Sequence, residues 1–187
     1  MRFNMRSESL KDKHAILSPS SYHWVNYDDQ KLQARYTALT SARRGSDLHD
    51  LAHAAIRLGV KFSKSNKAFS AYVNDGITYK MATEQILFYS DNAFGTADTI
   101  SFNRRKLRIH DLKTGINTTS MKQLEIYAAL FCLEYSISPF DIDIELRIYQ
   151  REDIRISEPH PQIIADIMDK IVDFDLKIES MKRSDDF

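Results

Sequence analysis

The chain has 187 residues, which is the size of one domain of ordinary length. Its hydrophobic share of 43% and charged share of 28% are typical of a globular protein and exclude wholesale disorder. Five glycines and four prolines are too few for a collagen-like or low-complexity chain. The formal net charge is zero, but the residues from Glu152 onward carry ten acidic and five basic side chains. We therefore expect any contact with nucleic acid to use a local basic surface.

Three further features bear on the compartment and on cofactors. The single cysteine, Cys132, excludes an internal disulfide and a thiolate cage for zinc or an iron–sulfur cluster. The longest apolar run, Ile126–Leu133, is too short to span a membrane. The first residues carry charges but no apolar core, so no secretory signal is expected. Together these features predict a soluble, cytoplasmic protein.

Apolar spacing and capping residues predict six helical segments in chain order. Gly45 is predicted to interrupt the pattern within the first 58 residues, which are otherwise helical. The first segment begins at Ser18, and the next three are Asp28 to Leu39, Ser46 to Leu58, and 68–74. The fifth runs from Thr118 or Ser120 to Tyr135, and the sixth covers 159–184.

Four segments alternate apolar and polar residues in the manner of strands. They cover 79–89, 94–102, 107–113 and 141–149. The combined order predicts an α/β fold in which a central mixed sheet is flanked by helices, with an α-β-β-β-α-β core. We expect a single domain over 1–187, made of N-terminal helices over 1–58, a core over 79–149 and a C-terminal helix over 159–184.

The last predicted strand alternates without a fault. Ile142, Ile144, Leu146 and Ile148 are predicted to face the core, so the acidic row formed by Asp141, Asp143 and Glu145 is predicted to be solvated.

Charged residues interrupt the apolar faces of the first three predicted strands. Asp111 and Lys113 lie on the apolar face of the third strand. Asp98 shares the apolar face of the second strand, and Glu84 that of the first. Inward charges are costly unless they are paired or hold a metal. Each residue alone has a structural explanation, such as a strand-end ion pair or a turn cap, but four in phase favour a metal site.

Carboxylate oxygens are the ligands that Mg²⁺ and Mn²⁺ prefer, with waters completing the shell. A metal held in this way activates water and neutralises phosphate charge, and Lys113 can hold or deprotonate the attacking water. These are the components of phosphodiester hydrolysis. Gly-rich phosphate loops and the Gly-x-Ser-x-Gly motif are missing from the sequence.

Two helices contribute further candidates. Gln123 and Tyr127 are four residues apart and share a helix face. His49 and His53 have the same spacing, but the sequence between them lacks the Glu of an HExxH zinc motif. A zinc site on that helix is therefore not expected.

In this order the motifs resemble the PD-(D/E)XK nuclease superfamily, and within it the RecB-like and lambda-exonuclease-like branch. The matching elements are Gly45-x-x-x-His49, the strand acid Glu84, Gly95-x-x-Asp98, Asp111-x-Lys113 and Gln123-x-x-x-Tyr127. The resemblance covers nearly half of the chain. The iron–sulfur cysteines of some relatives are missing, so a stand-alone member without a cluster is implied.

The resemblance implies a Mg²⁺- or Mn²⁺-dependent deoxyribonuclease, an exonuclease of phage or prophage recombination or repair, in a bacterial or phage-infected cell. It implies Asp98, Asp111, the Leu112 carbonyl and His49 as metal ligands. Glu84 would be an outer ligand or hold water, and Lys113 would position the nucleophile. Gln123 and Tyr127 would support the site or touch DNA.

Two alternatives remain open at this stage. One is a structure-specific or nicking endonuclease with the same site, and the other is a catalytically retired nuclease fold that binds or inhibits. The expected partner is duplex or single-stranded DNA, with a second copy of the chain or a recombination protein as further possibilities. The basic turn formed by Arg104, Arg105 and Lys106 is a candidate contact for DNA phosphates, or a solvated hairpin tip.

Overall fold

The computed structural model describes residue 17 and residues 19–63, 67–115 and 120–185. The described residues up to Asp47 form one compact unit, and those from Leu48 onward form a second. The predicted helix starts at Ser18 and Thr118 lie outside the described residues. No helix within the described ranges is both long and apolar enough to cross a membrane.

The described helical segments are two short 3₁₀ helices and four α-helices. The 3₁₀ helices are Pro19–Asn26 and Pro139–Asp141, and the α-helices are α1 (Asp29–Leu58), α2 (Ala68–Thr78), α3 (Lys122–Glu134) and α4 (Pro161–Asp185). The predicted interruption at Gly45 is wrong, because α1 continues through it. One glycine inside a helix costs only about 1 kcal/mol relative to alanine, which a long helix tolerates.

Five strands form one sheet in the order β1-β2-β3-β4-β5. They are β1 (Ala82–Ser90), β2 (Ala93–Asn103), β3 (Lys106–Lys113), β4 (Asp143–Gln150) and β5 (Asp153–Ser157). All neighbours pair antiparallel except β3 and β4, which are parallel and connected through α3. The predicted α/β class with a mixed, helix-flanked sheet is confirmed. The sequence prediction missed β5, because five residues are too few for alternation to distinguish a strand from a turn.

The sheet is covered on both faces of its centre. Toward α3 and α4 it packs with aliphatic side chains, among them Leu107, Ile109, Leu146 and Ile148. Its other face packs Leu112 and Tyr149 against α2 and the last turns of α1. The predicted inward orientation of the β4 aliphatic residues is therefore confirmed, and Glu145 and Tyr149 at alternate β4 positions are buried as well.

One predicted face is wrong, and another is wrong at one residue, since Asp141 and Asp143 are exposed as predicted but Glu145 is not. Glu145 is only 7% exposed, because Lys106, Arg108 and Arg147 surround its carboxylate within the fold. The face of β1 predicted to be apolar and inward is exposed, with Ile86 56% accessible. Leu87, on the opposite face of this edge strand, packs into the core, and Tyr89 packs against the same cluster. Whether an alternating strand buries its even or odd positions is decided by the elements that cover it.

Candidate active site

The centre of the candidate site is the place where β2 and β3 separate. Their pairing runs from Asn103 opposite Lys106 to Thr99 opposite His110. At the next step the carboxylate of Asp98 replaces the main chain as acceptor, taking the Leu112 N–H at 3.3 Å. A side chain thus enters the sheet where the strands part. The Leu112 side chain is buried in the core at this point.

Asp98 lies between this main-chain donor and α1. Its Oδ2 is 3.4 Å from His49 Nδ1, and about a quarter of each side chain is exposed, 24% and 27% respectively. Burial raises the pKa of Asp98, and the nearby His49 opposes that rise. His49, the histidine of the Gly45-x-x-x-His49 motif, therefore lies beside Asp98 of the second strand.

Asp111 is the more deeply buried of the two acids, with 5% of its side chain exposed. Its Oδ2 lies 3.0 Å from Lys113 Nζ, yet no described residue donates a hydrogen bond of good geometry to this oxygen. Burial raises the pKa of Asp111, and the negative charge of Asp98 raises it further. The Lys113 ammonium is the cation that stabilises this buried carboxylate among the described residues.

Lys113 connects the acids to α3. Its Nζ donates to Gln123 Oε1 at 3.1 Å, and Gln123 Nε2 lies 3.4 Å from the Tyr127 hydroxyl. A Cβ on Gly95 would lie 3.0 Å from Tyr127 Cε1, so a larger residue at this position would crowd the Tyr127 ring. The structure thus brings Gln123 and Tyr127 of α3 close to Lys113 and Gly95.

Glu84 belongs to a neighbouring cluster rather than to the buried pair. Its carboxylate is 53% exposed, lies 3.0 Å from Arg57 Nη1, and lies 3.7 Å from His53 Nδ1. His53 is buried, and its Nε2 is 3.3 Å from the Tyr72 hydroxyl. Glu84 also has a φ of +53°, a left-handed backbone that glutamate rarely adopts. Arg57 and Tyr72 were not identified from the sequence, since only folding connects them to Glu84.

The basic turn lies away from the acids. Arg104 and Arg105 precede β3, while Lys113 ends it, so roughly 23 Å of extended strand separates them. Arg105 Nε donates to the Asp141 carbonyl at 2.7 Å, and Lys106 pairs with Glu145 at 3.0 Å. The structure does not bring this turn together with the other predicted site residues, and the turn's contact with DNA stays a prediction.

A second buried network lies behind β3 and β4. The Tyr149 hydroxyl is 2.5 Å from Asp75 Oδ2 and 3.2 Å from His110 Nδ1. His110, whose Nε2 lies 3.9 Å from Glu145 Oε1, and the neighbouring cations hold the pKa of Glu145 far below its usual range. Burial lowers the pKa of His110, so its ring is neutral near pH 7. These groups fix the strand that carries Asp111, and no motif in the sequence pointed to them.

The described residues show no group of three or more histidine, cysteine or acidic side chains arranged to hold a metal ion. Mg²⁺ needs fewer protein ligands than such a group, since one or two carboxylates and several waters suffice. Asp98 and Asp111 supply two hard oxygen donors beside the Lys113 ammonium, which lies 3.0 Å from Asp111 Oδ2. The donor set therefore fits a magnesium-type ion.

Comparison with protein-family models, with curated proteins and with solved structures finds no match for this chain. Its function is therefore inferred from its own residues and their arrangement.

Proposed function

We propose that this protein is a Mg²⁺- or Mn²⁺-dependent deoxyribonuclease that hydrolyses phosphodiester bonds with a PD-(D/E)XK-type site. The observation that carries the proposal is the convergence of Asp98, Asp111 and Lys113 where β2 and β3 part. Two desolvated carboxylates beside a lysine constitute a costly arrangement. A phosphodiester hydrolase provides a reason to keep it.

Asp98 and Asp111 would hold the metal, with the Leu112 carbonyl and His49 as further ligands. When bound, the metal lowers the pKa of a coordinated water and neutralises charge on the phosphate. The main-chain bond from Leu112 fixes the Asp98 carboxylate relative to β3. The two acids thus keep their separation before a substrate arrives, and such preorganisation is worth more than the same groups on mobile side chains.

Lys113 would position the attacking water and stabilise the negative charge that develops on the phosphate. Its amine is held from two sides, by Asp111 at 3.0 Å and by Gln123 at 3.1 Å. Tyr127 in turn lies beside Gln123 and packs over Gly95. Gln123 and Tyr127 therefore act on Lys113 by restricting where its ammonium group can lie. Glu84 would hold water at the exposed edge of the site.

The topology supports the same proposal. Three antiparallel strands are followed by a helix and then by a parallel fourth strand, in the order that the resemblance implies. We favour exonuclease action and recombination or repair of DNA on that resemblance, and endonuclease action with the same site remains the alternative.

The decisive experiment uses end-labelled linear duplex DNA with Mg²⁺, Mn²⁺ or EDTA. We expect cleavage with either metal and none with EDTA. Asp111→Asn and Lys113→Gln should each abolish cleavage, while Asp173→Asn, on the exposed face of α4, should cut at the wild-type rate. Wild-type protein that leaves DNA intact with both metals would refute the proposal, as would either site variant cutting at full rate.

A further inference from the structure

A cavity of about 320 Å³ is lined in part by Lys113, the partner of Asp111 in the ion pair. It lies where the end of β3, the β4–β5 turn and the first residues of α2 meet. Its lining is Leu48, Lys67, Ala68, Phe69, Leu112, Lys113, Thr114, Arg151 and Glu152. Lys113 is paired with Asp111, so Lys67 and Arg151 against Glu152 leave the cavity a formal excess of one positive charge.

The lining combines charged side chains with apolar ones. Lys67 and Arg151 are held near each other because the Ala68 N–H donates to the Arg151 carbonyl at 2.8 Å. Arg151 makes no ion pair with any described residue, so its guanidinium is available to an outside anion. Leu48, Phe69 and Leu112 supply apolar surface in the same cavity. Cationic groups beside apolar surface suit a phosphate that is attached to a sugar.

We propose that this cavity binds the backbone phosphate adjacent to the scissile phosphate on the substrate strand. Lys67 and Arg151 contact that phosphate, and Phe69 and Leu48 lie against its deoxyribose. The proposal rests on the proposed nuclease function, because Lys113 belongs both to the candidate active site and to the cavity. A substrate strand that reaches Asp98 and Asp111 then passes directly into the cavity.

Such a subsite has a chemical purpose. Binding energy from a part of the substrate that does not react can hold the reacting phosphate in place at the two acids. The basic turn at 104–106 cannot serve this purpose, since it lies at the other end of β3. The cavity therefore supplies the local basic surface that a chain of zero net charge needs for DNA.

The test measures binding of a fluorescein-labelled duplex in EDTA as a function of salt. The double variant Lys67→Gln/Arg151→Gln should bind about tenfold more weakly at low salt, as expected for the loss of charge-assisted contacts. Its slope of log affinity against log salt should fall by about 0.9, the value for one lost phosphate contact on duplex DNA. The matched control Lys170→Gln/Lys177→Gln, on α4, loses the same charge away from the cavity and should keep the wild-type slope.

A second measurement uses the unmodified protein and needs no variant to fold. One neutral methylphosphonate is placed at the linkage next to the mapped cleavage position. It should weaken wild-type binding about tenfold, and the double variant should show no further loss. An unchanged salt slope in the double variant, an equal fall in the control, or wild-type indifference to the methylphosphonate would each overturn the subsite.

The outcomes separate the two proposals. If the wild-type protein cuts DNA but the salt slopes are equal, the subsite is wrong and the nuclease function stands. If no metal supports cleavage while the slopes differ as expected, the nuclease function is wrong and the cavity remains a nucleic-acid phosphate site. The methylphosphonate is then moved along the duplex one linkage at a time. If it weakens binding at none of these positions, the cavity site is wrong as well.

Discussion

The carboxylate of Asp98 accepts a hydrogen bond from the main-chain N–H of Leu112 at 3.3 Å, in place of a strand-to-strand bond. This relationship joins the stability of the sheet to the geometry of the candidate site. The Leu112 donor lies in a residue that is 3% exposed, so water cannot easily replace the carboxylate. Asp98 is therefore both a structural acceptor and a proposed metal ligand, and substitutions can separate the two roles.

We expect Asp98→Ala to lower the free energy of unfolding by about 1–3 kcal/mol, because it leaves a buried N–H without an acceptor. Asp98→Asn keeps an acceptor oxygen and removes a partly desolvated charge, so it should be as stable as wild type or more stable. Both variants should lose cleavage. Urea denaturation at pH 7 gives the stabilities, and equal stability of the two variants would refute the structural role of the hydrogen bond.

The raised pKa of Asp111 predicts a sign for the pH dependence of stability. Burial raises the pKa of Asp111 above the ordinary 3.8. At pH values between 3.8 and the raised pKa, the folded state therefore binds more protons than the unfolded state. Wild-type stability should therefore fall, relative to Asp111→Asn, as pH rises from about 4 through the folded pKa. Denaturation of both proteins across this pH range measures the difference. A difference that is constant or of opposite slope would contradict the assignment.

Lys113 stabilises the Asp111 carboxylate, so its removal should be costly for folding as well as for catalysis. We expect Lys113→Met to lower stability at pH 7 by about 1–3 kcal/mol, because it leaves a buried carboxylate without its cation. Adding Asp111→Asn to this variant should restore most of the loss. A double-mutant cycle by urea denaturation gives the coupling energy. Additive effects would show that the 3.0 Å ion pair is energetically unimportant.

Gly95 sets how closely α3 approaches β2. We expect Gly95→Ala to destabilise by about 1–3 kcal/mol, because its new Cβ crowds Tyr127 at 3.0 Å. Gly115→Ala is a matched control, since a Cβ there meets no atom of the described residues within 4 Å. Combining Gly95→Ala with Tyr127→Leu should relieve part of the loss. Thermal denaturation compares the four proteins, and equal melting temperatures for the two alanine variants would contradict the close approach.

Exonuclease and endonuclease action are distinguished by the topology of the substrate. We expect linearised plasmid to be degraded in Mg²⁺ while the covalently closed circle of the same sequence stays intact. This expectation comes from the resemblance to exonucleases. The geometry alone does not require a DNA end, because a site at the ends of β-strands can also reach an internal phosphate. Gel electrophoresis over a time course is sufficient. Nicking of the circle at a comparable rate would make the protein an endonuclease and leave the metal-site proposal unchanged.

The sequence alone predicted the parts of this protein that depend on near neighbours along the chain. Alternation located β3 and β4 and showed Asp98, Asp111 and Lys113 as charges within apolar strands. Helical spacing placed Gln123 and Tyr127 on one face of α3. These patterns can be recognised in the sequence because side-chain directions repeat every two residues in a strand and about every 3.6 in a helix. The repeats do not depend on what packs against the element.

The tertiary structure decided which of these groups meet and which faces are covered. Packing brings Lys113 to Gln123, buries Glu145 among cations, and leaves the Glu84 face of β1 exposed. It also gives Asp98 a main-chain donor from a different strand. Such contacts join residues that are distant in sequence, and their energies depend on desolvation by surrounding elements. Local periodicity carries no information about that environment, so only the folded chain could determine it.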